Sequence, residues 1–271
     1  METSRKFTVI RLTAGKPSPA EVRVIMEKEL PVYVNGARLA TASMAPGMEK
    51  EFVTGYLFGQ GFIDSIEDIA TLEIEKGSAQ VTLKKPTSAP AKTDYRIVSG
   101  GGRSADSKDP TPTRRITSAL VINKQTIFKA MNELFEQAAL YHETEGAHAA
   151  GLFSAAGDLI CRVEDIGRHN TLDKLIGYIL LNKIDTSMTF LVSTGRMASE
   201  MVTKICRSGI PIAATKTATT DKGLEIAQRY GLTLVGFVRD SGNKINTDMD
   251  VRVVKESGMK IYSGAERVRC D

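Results

Sequence analysis

From His148 onward the sequence alternates between two periods. Two short runs, "HAAGLFS" and "LICRVE", are joined at "AAGD" and read as a pair of strands. Helix-length segments then alternate with apolar runs. "NTLDKLIGYILLNK" leads to "MTFLV", "MASEMVTKICRSG" to "IPIAA", and "DKGLEIAQRYG" to "LTLVGFV". Strands separated by helices of 11 to 14 residues build βαβ units, because a parallel neighbour needs a long crossover. The near-continuous apolar strands suit burial on both faces. The expected fold class is therefore α/β, a mixed sheet with flanking helices. Such sheets collect ligands beyond the carboxyl ends of their strands, near helix N-termini.

The first part of the chain has a different pattern. Residues 6–98 read as a smaller β-rich N-terminal domain, with "FTVIRL", "VRVIME" and "PVYVNG" as strands and Asn35-Gly36 as a hairpin turn. One helix, "MEKEFVTGYLFGQG", interrupts them. Residues 99–115, rich in Gly, Ser and Pro, read as a mobile loop before an α/β domain over 116–271. That domain opens with "TIFKAMNELFEQAALY", which puts Ile127, Met131, Leu134, Ala138 and Tyr141 on one helical face. Thr126 is its expected N-cap.

Four polar turns follow the strands of the second domain. "EDIGRHN" brings Arg168 and His169 beside a helix start, with Gly167 for close backbone approach and Asn170 as expected cap, Asp173 completing a capping box. "STGRMASE", from Ser193, adds Gly195 and Arg196. "TKTATTD" offers hydroxyls and another helix start, and "FVRDSG" adds Arg239. Three arginines on neighbouring strand ends suggest a wide anionic ligand such as a nucleotide diphosphate. Plainer readings stand beside this one. Asp165 and Glu164 can pair with Lys174 and Arg168, His148 can be structural, and Cys161 and Cys206 can be core residues.

Composition narrows the function classes. A net charge of +4, with no clustered basic run, is no signature of nucleic-acid binding. No apolar run approaches the roughly 20 residues of a membrane span, and "METSRKFTVIRL" is not a signal peptide. Cys161, Cys206 and Cys270 are odd in number and far apart, which argues against disulfides and for a cytoplasmic location. They show no zinc-ligand spacing with the histidines. A phosphate loop, a dinucleotide fingerprint, a nucleophile elbow and the zinc-deaminase pair are all missing.

The segments "EGAHAAGLF", "EDIGRHNTLDKLIG", "STGRMASEMVTKICRSGIPI" and "GLTLVGFVR" resemble the formate dehydrogenase accessory sulfurtransferase (FdhD) family. "ELPVYVNGARLATASMAPGMEKEFVTGYLFGQGFIDSIEDI" and "MKIYSGAERV" are similar to its N-terminal half and its end. The resemblance implies a cytidine-deaminase-like C-terminal domain without zinc, or any catalytic metal of its own, and a homodimer. It implies sulfur transfer from a cysteine desulfurase to the bis-molybdopterin guanine dinucleotide cofactor of molybdenum (or tungsten), which activates formate dehydrogenase. The family's cofactor-binding hexapeptide falls on Phe237, Val238, Arg239, Asp240, Ser241 and Gly242, with Met259 to Tyr262 as neighbours in that role.

One departure bears on chemistry. By the resemblance, the loop where the family carries its sulfur-bearing cysteine reads "IVSGGGRSADS" here, so the expected Cys position falls within Gly100 to Gly102, with Gly101 as its centre. Glycine cannot hold a persulfide, which needs a thiolate. Cys161 is the expected substitute. The alternative is a chaperone that binds the cofactor or a guanine nucleotide and moves no sulfur.

Overall fold

The structure is a computed structural model. It describes residues 2–85, 95–97, 111–112, 114–240, 244–247, 250–253 and 256–270. The chain begins with a ribbon of two ten-residue antiparallel strands, β1 (Ser4–Thr13) and β2 (Lys16–Ile25), which pair only with each other. β3 (Lys28–Val34) and β4 (Ala37–Met44) form the expected hairpin. Asn35 and Gly36 both have positive φ, 51° and 81°, the turn whose twist matches the flanking strands. Helix α1 (Glu49–Gly59) follows, then β5 (Ile69–Glu75), β6 (Ser78–Leu83) and β7 (Tyr95–Ile97). These strands make a five-stranded sheet in the order β5-β6-β3-β4-β7.

After a short strand, β8 (Ile122–Asn123), come α2 (Lys124–Glu136) and α3 (Ala139–Thr144). The alternating region then appears as read. It comprises β9 (His148–Ser154), β10 (Leu159–Asp165), α4 (Arg168–Leu181), β11 (Thr189–Ser193), α5 (Ser199–Arg207), β12 (Ile212–Thr215), α6 (Asp221–Tyr230) and β13 (Thr233–Arg239). A small hairpin, β14 (Lys244–Thr247) and β15 (Asp250–Val253), precedes β16 (Gly258–Ser263) and β17 (Val268–Arg269). The main sheet runs β10-β9-β11-β12-β13-β16, with β11, β12 and β13 parallel and the outer pairs antiparallel. This is the mixed α/β architecture expected.

Period-two alternation assigns each strand residue to a face. Phe190, Val192 and Ala214 pack with Ile127, Met131 and Leu134 of α2 on one side. Leu191, Ala213 and Leu234 join α4 and α5 on the other, in an apolar cluster that continues through α1 to Leu30 and Val32 of β3. The five-stranded sheet thus shares its core with the main sheet. α1 and α4 meet through glycines. A Cβ built on Gly55 would lie 1.9 Å from the Asp173 carbonyl oxygen, so only glycine permits the approach.

Two expected caps move. Asn123, not Thr126, caps α2, its side chain accepting from the Gln125 N–H at 2.9 Å. α2 also stops at Glu136, so Ala138 and Tyr141 leave its face. The cause is tertiary. The Glu164 carboxylate, from β10, accepts the Leu140 and Tyr141 N–H groups and creates a new helix start. No described helix is long and apolar enough to cross a membrane.

Candidate functional site

β9 runs antiparallel to its two neighbours, so its beginning lies level with the ends of β10 and β11. The same sheet edge therefore holds His148 and the four polar turns. Main-chain bonds lace them together. Thr194 N–H donates to the Ala149 carbonyl (3.0 Å), Lys216 N–H to Ser193 (3.1 Å), and Phe237 N–H to Thr217 (2.9 Å). Ser193 is buried and its hydroxyl accepts the Gly195 N–H at 3.0 Å, so it shapes the turn rather than facing a ligand. Gly195 is required by crowding, since a Cβ there would meet the Arg168 Cβ at 2.6 Å. The hydroxyls of the third turn are likewise spent internally. Thr215 donates to the Gly195 carbonyl, Thr219 donates to the Met197 carbonyl, and Thr220 caps α6.

Asn170 is not a cap. Gly167 occupies the N-cap of α4, and Asn170 turns inward from the first helical turn. Its amide donates to Asp165 Oδ1 (2.7 Å) and to the Ser43 carbonyl (2.8 Å). Asp165 is fully buried and also accepts from Ala45 N–H (3.1 Å), with Lys174 Nζ at 2.6 Å. Burial pushes its carboxyl up, opposed by Lys174, Asn170 and the Gly167 amide. Asp173, expected in a capping box, instead meets Lys204 Nζ at 2.5 Å in a second buried pair. Of the plainer pairings, Asp165 with Lys174 holds, whereas Glu164 takes Arg162 and leaves Arg168 alone.

The consequence is spare positive charge. Among the described residues none of Arg168, Arg196 and Arg239 meets a carboxylate in an ion pair. Arg168 Nε is buried and unbonded. His169 is buried beside it, and burial, with Lys204, Arg168 and His148, pushes its pKa down to about 3. It is therefore neutral near pH 7. The 3.4 Å contact of Nε2 with Glu200 is then an N–H donor facing a carboxylate, not an ion pair. Nδ1, left as the bare acceptor, has no partner. His148, also held below its ordinary value by burial and then by Arg168, contacts Thr194 at 3.2 Å.

A second cationic group surrounds Phe237, a bulky residue with φ 54° on the bulge between Gly236 and Arg239. Such strain tends to gather at functional sites. Lys260 Nζ lies 4.6 Å from the Phe237 ring centre and the Arg239 guanidinium 5.9 Å. Lys216 Nζ sits over Phe135 at 3.7 Å, its pKa lowered by burial and then by Arg239. Arg196 is exposed on the turn after β11, and Val238 is a buried core residue. Arg168 thus groups with His148 and His169, and Arg239 with Lys216 and Lys260. The 1400 Å³ cavity runs along α2 and is lined by Asp240 of the expected hexapeptide and by Met259 and Ile261. Lys260 lies in the expected Met259 to Tyr262 run, whereas Lys216 and Phe135 were not singled out from sequence. Lys216 sits in a quoted turn, but its role depends on Phe135, some eighty residues earlier.

Cys161 does not fit the substitute role. It is buried among apolar residues, and burial pushes its thiol up to about 12, as it does for Cys206. Cys270 is exposed. Gly101, Ser241 and Gly242 lie outside the described residues, and Asp240 bonds Asn132 and Ser257.

His169 makes stability depend on pH. The unfolded chain takes up a proton near pH 6.5 while the folded one resists it to about 3. Stability is then full above pH 6.5 and falls as pH drops, by up to about 1.4 kcal/mol per unit. A His169→Gln chain, followed by urea denaturation from pH 7 to 4, should show a flatter profile. An unchanged slope would contradict the burial of a neutral imidazole.

The fold and site together define an α/β protein with cationic side chains gathered at the strand ends of its main sheet. The chain belongs to the FdhD/NarQ family, which it matches over residues 25–269. Relatives named "Sulfur carrier protein FdhD" include one from Sulfurisphaera tokodaii, 34% identical, covering 86% of this chain and 88% of its own length. Another, from Halalkalibacterium halodurans, is 33% identical over 91% and 94%. The fold matches a putative formate dehydrogenase accessory protein from Desulfotalea psychrophila, with a TM-score of 0.78 and 24% identity over 99% of this chain and 100% of that one.

Proposed function

We propose that this chain is an accessory sulfur carrier in formate dehydrogenase maturation, and that its sheet edge holds the guanine nucleotide ends of a bis-molybdopterin guanine dinucleotide cargo. The observation that carries the reading is the unpartnered Arg168 Nε, a buried guanidinium donor at the N-terminus of a fourteen-residue helix. A helix start with free donors and a guanidinium favours phosphate. Arg239, Lys260 and Lys216 around Phe237 supply a second station, as a two-nucleotide cargo requires. In this reading a cysteine desulfurase supplies persulfide sulfur, formate dehydrogenase receives the sulfurated cofactor, and the chain works as a homodimer in the cytoplasm.

Calorimetry with GDP tests the site. Binding is expected, and Arg168→Ala should weaken it by roughly 1.5–3 kcal/mol. No binding at millimolar nucleotide would remove the proposal. The second reading, a chaperone that moves no sulfur, is favoured by the missing loop cysteine and by the inert thiols of Cys161 and Cys206. Mass spectrometry after incubation with a desulfurase separates the two. Persulfide on Cys270, abolished by Cys270→Ser, supports transfer by this chain, and no persulfide supports the chaperone.

A further inference from the structure

The family match begins at residue 25, the last residue of β2, and nothing above uses the β1–β2 ribbon. It is anchored only at its base. Ser4 Oγ donates to Glu143 at 2.7 Å, Arg23 pairs with the same carboxylate, and Ile25 packs near Gly146. Beyond that base nearly every residue is exposed. Five of the eight large apolar side chains exposed among the described residues sit here, with Ile10 65% and Leu12 71% accessible. They occupy both faces. Phe7 opposes Val22 and Val9 opposes Ala20 on one, while Ile10 opposes Pro19 and Leu12 opposes Pro17 on the other. A lone two-stranded ribbon is marginal in water, and one that is apolar on both sides calls for a surface that wraps it.

Charge indicates which surface. Residues 4–25 contain five Lys or Arg and a single Glu, a surplus equal to the net +4 of the whole chain. The remainder is therefore neutral overall. The groove along α2 is complementary to this arm. It has about 1400 Å³ of space, beyond the roughly 300–1,000 Å³ typical of small-ligand pockets. Phe128 and Met259 line it, and the carboxylates of Glu133, Glu136, Asp158 and Asp240 outnumber its two lysines. The arm's anchor, α3, follows α2 after only Gln137 and Ala138. Arm and groove therefore belong to neighbouring parts of one surface. A twofold axis there would use each arm and each groove once and close the assembly.

We propose that the β1–β2 arm of each chain docks into the α2 groove of a second copy, so that the homodimer is held by exchanged arms. The proposal goes beyond the cofactor reading; the groove borders that site through Asp240, Met259 and Ile261, and the test below reads association rather than nucleotide binding, so the two readings fail separately.

Sedimentation of the full chain across micromolar concentrations tests it. A dimer is expected, weakened about thirtyfold or more by Ile10→Glu with Leu12→Glu. Both positions are exposed, so an unchanged circular dichroism spectrum and melting temperature should accompany the loss. Arg11→Glu with Lys16→Glu should also weaken the dimer, and adding Glu133→Lys with Glu136→Lys to that chain should restore it. A monomer at every concentration, a dimer indifferent to the arm substitutions, or a charge swap that restores nothing would overturn the proposal. So would a monomer whose arm instead binds vesicles containing phosphatidylserine.

Discussion

A Gly177→Ala chain is expected to lose about 3 kcal/mol or more of folding stability, although alanine is the better helix former by about 1 kcal/mol. The added Cβ would stand 1.7 Å from the Glu51 carbonyl oxygen, and its next neighbours are also main chain of α1. Backbone cannot swing aside as a long side chain can, so one of the two helices must shift. α4 carries Arg168 and His169 on its first turn, and α1 belongs to the core shared with the five-stranded sheet. Urea denaturation should therefore show a lower midpoint, and GDP affinity should fall with it. Equal or greater stability would mean that the two helices do not touch through their backbones.

Replacing Asp165 by alanine should cost about 3–5 kcal/mol, because it strands a buried ammonium. Lys174 Nζ would keep the Ala45 carbonyl at 3.0 Å and the Glu164 carbonyl at 3.4 Å, and among the described residues Asp165 is its one ion-pair partner. The Ala45 N–H and the Asn170 amide would also lose their acceptor. This carboxylate ties the end of β4 to the start of α4, so the site should loosen along with the fold. Removing both charges, as Asp165→Leu with Lys174→Met, should recover much of the loss. A single mutant as stable as the parent in denaturant titration would show that the pair is solvated rather than buried.

Much of this architecture was legible beforehand. The strand–helix alternation after His148, the Asn35-Gly36 hairpin and the placement of four turns at strand ends follow from local periodicity and turn chemistry. The family motifs pointed to the right relatives. The misses share one cause. Thr126 and Asn170 looked like caps because serviceable residues stood at plausible positions. Asn123 took the first cap by closing β8. Asn170 was drawn inward by Ser43 and Asp165, the former 127 residues away. α2 ended early because Glu164 reached across to α3.

The sequence by itself determined the α/β class, the strand ends on which polar turns sit, and the absence of any cysteine from residues 99–115. Those properties are written in spacings of a few residues. Only the tertiary structure decided that Asp165 and Asp173 would face lysines in the interior and that Cys161 would be buried beyond use. It also gathered Lys216, Lys260 and Arg239 around two aromatic rings, and left Arg168 without a carboxylate. Each depends on which distant groups share a low-dielectric space. There, a charge that finds a partner becomes structural, and one that finds none remains available for a ligand.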